Sequence, residues 1–379
     1  MTAKAAVERG SAERLQFLDA VRGFALLLMI ANHTGRWWQD GAMGWPRYNL
    51  IYATMAVGAP LFLFLVGFCL PLSFAPRRQA GAPVSVGVAT KFLQRGAKLI
   101  LAGWALNLVV FRDKPFWEGG VLQTILVTFR DEPFWEGGVL QTIGLGIILA
   151  LPPMLVLHRR PARYLLVAFA LGFYALFSVL HRDIAAWLPD HRVLGRIFFF
   201  EFPPWPWIAI VWIGLALGWV FALQDTAERR ARYLARMTVA GLVCLAVFAI
   251  WDWAHGTPLH LSLAFKRDFI VNNHWTARGV TSFLSFGAVF CLLGLAYYAV
   301  EVKRLPAAWL VILGRTSLML YFLHHLIVLT LAKELLGLKL NNWWWYALAY
   351  AVLLVLLVGI GRLWLGIRGI AARRRLQPA

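Results

Sequence analysis

Two stretches hold residues whose types and spacing could do chemistry. The first apolar segment, Leu15 to Gly35, reads LQFLDAVRGFALLLMIANHTG and carries Asp19, Arg22 and His33, with Asn32 beside the histidine. A charged side chain at the centre of a bilayer costs about 3 kcal/mol or more, so ionisable groups in such a segment are functional candidates by default. On a helix advancing 100° per residue, Arg22 and His33 fall about 20° apart in projection, and Asp19 lies one turn before Arg22. All three project from one stripe. Read as plain architecture, Asp19 and Arg22 are an ion pair near the helix entrance and His33 is an interfacial ring.

The second stretch is GRTSLMLYFLHHLIVL, residues 314–329. Ser317, Tyr321 and His324 share a face within about 40°, whereas His325 points about 100° away. Arg315 stands near one end. Hydroxyls and imidazoles in such a helix also serve as interhelical glue. If the two stretches face each other across a polar cavity, that cavity holds a histidine that titrates near neutrality, a carboxylate, an arginine and donor hydroxyls. The set suits acyl transfer better than hydrolysis by a serine triad, because no G-x-S-x-G elbow occurs. A histidine base removes the proton from an attacking hydroxyl or amine, and donors stabilise the oxyanion. The planar fork of Arg22 suits phosphate or pantetheine oxygens of a cytosolic donor. His33 lies about 16 Å further along the helix, toward the other leaflet.

The elements that must position these residues are membrane helices. The 379-residue chain is 60% hydrophobic and only 15% charged, with a mean hydropathy of +0.67. Soluble domains carry about 25% charge. Apolar runs of about twenty residues, the length that crosses hydrocarbon, fall near 15–35, 50–74, 92–110, 139–157, 163–181, 205–223, 234–253, 280–300, 307–332 and 343–365. The expected fold is therefore an all-α integral membrane bundle of about ten helices. It comprises a tail over 1–14, one transmembrane domain over 15–366 and a basic tail over 367–379.

The formal charge of +19 does not indicate nucleic acid, because Lys and Arg come in short clusters between spans. The tails and the loops after spans two, four, six and eight carry most of them, which places both termini in the cytoplasm. The N-terminal segment reads as a retained anchor, without a small-residue cleavage site. Cys69, Cys244 and Cys291 all lie in apolar runs, so no disulfide framework is expected.

The loops on the opposite side have their own features. Residues 111–125 recur almost unchanged as 129–143, a local tandem duplication within 111–146 with an offset of eighteen residues and no further period. Pro203, Pro204 and Pro206 delay a helix, and Trp205, Trp207 and Trp212 read as an aromatic belt at the headgroups. The polar stretch 254–279 holds His255, His260, Lys266, Arg267, Asp268, His274 and Arg278 without ligand spacing. No metal site and no tightly bound cofactor are expected.

The segments RLQFLDAVRGFALLLMIANH, GAPLFLFLVGFCLPLS, GVLQTIGLG, FPPWPWIAIVWIGLALG and LGRTSLMLYFLHHLIVL together resemble the transmembrane acyltransferase superfamily. They are most similar to bacterial relatives of the heparan-alpha-glucosaminide N-acetyltransferase catalytic domain, in order over about residues 14–330. The interval from Arg22 to His33 also resembles the arginine, ten residues, histidine signature of membrane acyltransferases that decorate surface glycans. The resemblance implies acetyl-CoA or another acyl-CoA as co-substrate, a sugar hydroxyl or amine as acceptor, and a histidine at the reactive centre in a cell inner membrane. In lysosomal members an asparagine ends the first helix and the active histidine follows in the next loop. Here that loop, RWWQDGAMGWPRYNLIYATM, has no histidine, so the role passes to His33, with His324 or His325 as helper. O-acyl transfer to an envelope sugar is then at least as well supported as N-acyl transfer.

The expected catalytic group is His33, Asp19, Arg22 and His324, and the expected substrate-binding group is Asn32, Arg315, Ser317, Tyr321 and His325. A transporter or flippase for a polar or anionic substrate is the alternative from a different class, though the chain has no two-fold internal symmetry of the kind transporters often carry. A non-enzymatic partner of a glycan-assembly complex is a third reading. Oligomeric state is not read from the sequence.

Overall fold

The computed structural model describes residues 15–72, 74–79, 81, 86–109, 138–187, 197, 202, 204–254, 270–271, 274–275 and 279–376. Most of the duplicated segment and most of the polar stretch 254–279 lie outside these residues; the end of the second copy opens a helix at Val139. Among the described residues the structure is helical, apart from one two-residue antiparallel pair, Ile270–Val271 with His274–Trp275, and a single bridge between Gln39 and Leu340.

In chain order the helices are α1 (Gln16–Trp37), α2 (Gly44–Cys69), α3 (Ala75–Gln79), α4 (Val86–Val109), α5 (Val139–Leu149), α6 (Leu151–Val156), α7 (Arg160–Trp187), α8 (Pro204–Ala222) and α9 (Ala227–Ala254). There follow α10 (Thr281–Tyr297), α11 (Ala308–Arg315), α12 (Ser317–His325) and α13 (Trp343–Leu376). Among the described residues, eight helical segments are long and apolar enough to cross a membrane. The ten expected spans are not all of that kind. Helices α1 and α4 have the length, at 22 and 24 residues, but α1 carries Asp19, Arg22 and Arg36, and α4 carries Lys91, Arg95 and Lys98.

Helix α1 belongs to both apolar cores. Phe17, Val21, Ala25 and Met29 enter the larger core with α2, α8 and α10. Leu26 and Ile30 enter a second core with α11, α12 and α13. Large apolar side chains stay exposed on α7, α9 and α13, among them Leu165, Val239 and Val355. Such a surface is tolerable where the surroundings are hydrocarbon, since each helix satisfies its own backbone.

Glycine fixes how closely α1 meets α11. A Cβ added to Gly23 would collide with the Leu310 carbonyl, and one added to Gly314 with the Asp19 carbonyl. The two backbones therefore touch directly, as small residues allow in membrane bundles.

The segment expected as one span over 307–332 is broken. Thr316 leaves the helical region at φ −108° and ψ 8° and separates α11 from α12. Directly after His325 the chain turns to a π-helix over Leu326–Leu335, a form that recurs at functional sites. The far end of α1 is clasped to the last third of the chain. Trp38 donates through Nε1 to the Val328 carbonyl at 3.0 Å, and the Leu340 N–H donates to the Trp38 carbonyl at 2.7 Å. From α13, the Tyr346 hydroxyl meets Thr34 Oγ1 at 3.0 Å and the Tyr350 hydroxyl donates to the Leu27 carbonyl at 2.9 Å.

The expected tryptophan belt is corrected in part. Trp207 is fully buried and stacks on Phe202 with ring centroids 4.6 Å apart. Its segment enters the core as α8, so the ring lies among side chains and not at a headgroup surface.

Candidate functional site

The two sequence stretches meet. His33, on α1, lies with Nδ1 3.0 Å from Nε2 of His324, on α12, and the two rings are nearly parallel. The His325 ring centroid is 4.5 Å from that of His33 and 4.1 Å from that of His324. His324 and His325 are completely buried, whereas His33 is half-buried. Trp37, one turn on from His33, closes one side of the group at 4.8 Å.

Hydrogen bonding fixes the tautomers. His324 Nδ1 lies 2.9 Å from the Leu320 carbonyl and His325 Nδ1 lies 2.8 Å from the Tyr321 carbonyl. A carbonyl only accepts, so both Nδ1 atoms carry the hydrogen and each Nε2 keeps a lone pair. His33 Nδ1–H then donates to His324 Nε2, which leaves the lone pair of His33 on its own Nε2. This is the chain of a base oriented by a second group that is itself held by a third.

The other end of α1 borders a cavity of about 530 Å³. Arg22 lines it, bonded through Nη1 to Asp19 at 3.1 Å and through Nη2 to Cys69 Sγ at 3.5 Å. Lys91, Arg95 and Lys98 of α4 and Arg315 and Ser317 at the α11–α12 break complete a basic rim. The first residues of α12 face the cavity, and the N–H groups that begin a helix favour an anion. Tyr321 joins the two regions: it lines the cavity, and its ring lies 5.5 Å from His324 and 4.7 Å from His325.

Of the residues expected from the sequence, His33, His324, His325 and Tyr321 come together. Arg22, Arg315 and Ser317 meet at the cavity, and Asp19 is buried as the partner of Arg22. His325, about 100° from His324 in projection, nevertheless packs beside His33, with ring centroids 4.5 Å apart. Asn32 bonds elsewhere. One step from His33 on the helix, it faces α2 and donates to the Ile51 carbonyl at 2.6 Å.

Sequence reasoning missed Cys69, Trp37 and the α4 stripe. The spacing of Lys91, Arg95 and Lys98, four and then three residues, places them on one helical face. That signal was present, although basic residues around the start of the third expected span were weighed only for the topology they imply.

Comparison with known proteins adds one match. The family model described as heparan-alpha-glucosaminide N-acetyltransferase, catalytic, covers residues 14–251. No curated protein matches the chain. His33, Arg22 and the α4 stripe lie within the matched residues, and His324 and His325 lie beyond them.

Proposed function

The chain belongs to the family of heparan-alpha-glucosaminide N-acetyltransferase catalytic domains, and on that footing we propose that it is a membrane acyltransferase moving an acetyl group from acetyl-CoA to a carbohydrate hydroxyl or amine. The observation that carries this reading is the hydrogen bond from His33 Nδ1 to His324 Nε2 at 3.0 Å, with His324 held in turn by the Leu320 carbonyl. It leaves a lone pair on an oriented imidazole beside the half-buried edge of the group.

In this reading the phosphates of the donor sit against Arg22, Arg95, Lys98, Arg315 and the start of α12, and the acyl-bearing arm runs past Tyr321 toward His33. The distance from Arg22 to His33, about 16 Å along the helix, is bridged by the donor's extended arm. His33 Nε2 takes the proton of the acceptor hydroxyl or amine as that atom bonds to the thioester carbon. The tetrahedral oxyanion collapses, the carbon–sulfur bond breaks, and the leaving thiolate takes the proton back from His33. Asp19 holds the Arg22 guanidinium in place. We place both termini in the cytoplasm of a cell inner membrane, with α1 and α4 as the two charged spans of a ten-span bundle, and the acceptor as an envelope glycan on the far side.

The test is transfer of radiolabel from acetyl-CoA onto envelope glycan by membranes holding the full chain. Label on the acceptor that disappears in a His33→Ala variant of unchanged abundance is the expected result. Unchanged labelling by that variant would refute the assignment.

A further inference from the structure

The three histidines have a second capacity that acyl transfer does not use. One ring nitrogen from each of His33, His324 and His325 lies within 4.8 Å of the others. Imidazole nitrogens bound to one tetrahedral zinc ion stand about 3.3 Å apart, so closing the set requires shifts of about an ångström. The outer hydrogen bonds are already those of a metal site: His324 and His325 donate from Nδ1 to backbone carbonyls, the arrangement that fixes the tautomer of a ligating histidine and raises its basicity. The Nε2 lone pair of His324 faces His33 Nδ1 at 3.0 Å, and His325 offers a ring nitrogen within 4.8 Å of the other two.

We propose that His33, His324 and His325 form a binding site for a divalent transition-metal ion of the zinc or cobalt type. Three neutral imidazoles with a fourth position left to a water or hydroxide is a ligand set zinc accepts, and imidazole suits that group of metals better than calcium or magnesium, which take oxygen ligands. His33, the half-buried member, is the side from which an ion enters. Trp37 and Tyr321, packed on the rings, hold them from turning away.

Occupancy has a chemical consequence that rests on the proposed function. His33 Nδ1 carries the hydrogen it donates to His324 Nε2. To bind the ion, both nitrogens give up that hydrogen bond and the His33 hydrogen moves to Nε2. The three imidazoles release no net proton, and one leaves only where the fourth ligand is a hydroxide formed from water. The lone pair that would take the acceptor's proton is gone, so the ion and the general base exclude each other, and a bound ion inhibits transfer.

The experiment uses the full chain purified in detergent and stripped with a chelator, titrated with Co²⁺ and followed by its visible d–d absorption. The expected result is a four- or five-coordinate spectrum that saturates at about one ion per chain and is displaced by Zn²⁺. His325→Gln and His324→Ala should each weaken binding about a hundredfold. Absence of a saturating spectrum in the unmutated protein overturns the proposal without reference to any variant. So does an unaltered spectrum in the double variant His324→Ala with His325→Gln. Labelling assays run in parallel keep the two readings apart. Co²⁺ binding by a chain with no transferase activity supports the metal site and sinks the transferase, and transfer that is indifferent to Zn²⁺ in a chain that binds no Co²⁺ does the reverse.

Discussion

The Tyr321 ring lies 4.7 Å from the ring of His325, tilted by 56°, while the same tyrosine lines the basic cavity that Arg22 borders. One side chain thus belongs both to the surface that suits an anionic donor and to the wall of the histidine group. Tyr321 can act through its ring or through its hydroxyl. Removing the hydroxyl alone, as Tyr321→Phe, should leave transfer within about threefold if ring packing is its role. Tyr321→Ala should lower kcat about a hundredfold by letting His324 and His325 turn. The pair of kcat values, measured with acetyl-CoA at saturation, separates the two contributions.

His33→Ala should reduce kcat by about a hundredfold to ten-thousandfold, the range that general-base catalysis supplies. Binding of acetyl-CoA, measured by titration calorimetry, should change little, because the donor's phosphates are placed at the other end of α1. A variant that lost donor binding instead would contradict that division.

In the proposed reading His324 acts through His33, as a positioning residue. His324→Gln keeps a hydrogen-bond acceptor near His33 Nδ1 and should retain more activity than His324→Ala, with KM for donor unchanged in both. Equal loss in the two variants, with KM rising, would mean that His324 serves packing alone.

The cavity predicts a separate pattern for charge. Arg95→Gln combined with Lys98→Gln should raise KM for acetyl-CoA about tenfold, equivalent to about 1.4 kcal/mol, and leave kcat nearly constant. The effect should shrink as salt is raised, since these side chains are exposed and screened. Initial-rate measurements at two ionic strengths check both statements.

Gly314→Val is expected to destabilise the whole bundle and not only the site. Its added carbons would strike the Asp19 carbonyl on α1, and overpacking of a close contact costs about 1–3 kcal/mol. Thermal unfolding in detergent should show a lowered midpoint for Gly314→Val and for Gly23→Val, and a nearly unchanged one for Gly359→Val, whose Cβ would meet nothing.

Much of the site was legible in helical phase. The stripe holding Arg22 and His33, and the face shared by Ser317, Tyr321 and His324, follow from 100° per residue and the apolar length of each run. What phase alone does not give is the partner of each face. Asn32 and His33 are neighbours in sequence, and only the packing of α2 on one side of α1 and α12 on the other decides that Asn32 bonds to Ile51 while His33 meets His324. The same holds for His325, which phase puts about 100° from His324 and which packing brings within 4.5 Å of the His33 ring centroid. The break at Thr316 carried no strong local signal, because a threonine in an apolar run is compatible with a continuous helix. The basic rim from α4 was visible as a spacing, but its charges also fit a membrane-topology pattern, and only the bundle brings them opposite Arg22.

The clasp between the end of α1 and the last third of the chain bears on how the protein is made. His33 enters the membrane early in synthesis, while His324 is 291 residues away along the chain, and Leu340, which bonds to the Trp38 carbonyl, comes later still. Until the ribosome has delivered those residues the first histidine has neither its orienting neighbour nor its fastening. A nascent chain halted before His324 therefore lacks the assembled histidine group, and one halted before Leu340 lacks the clasp as well.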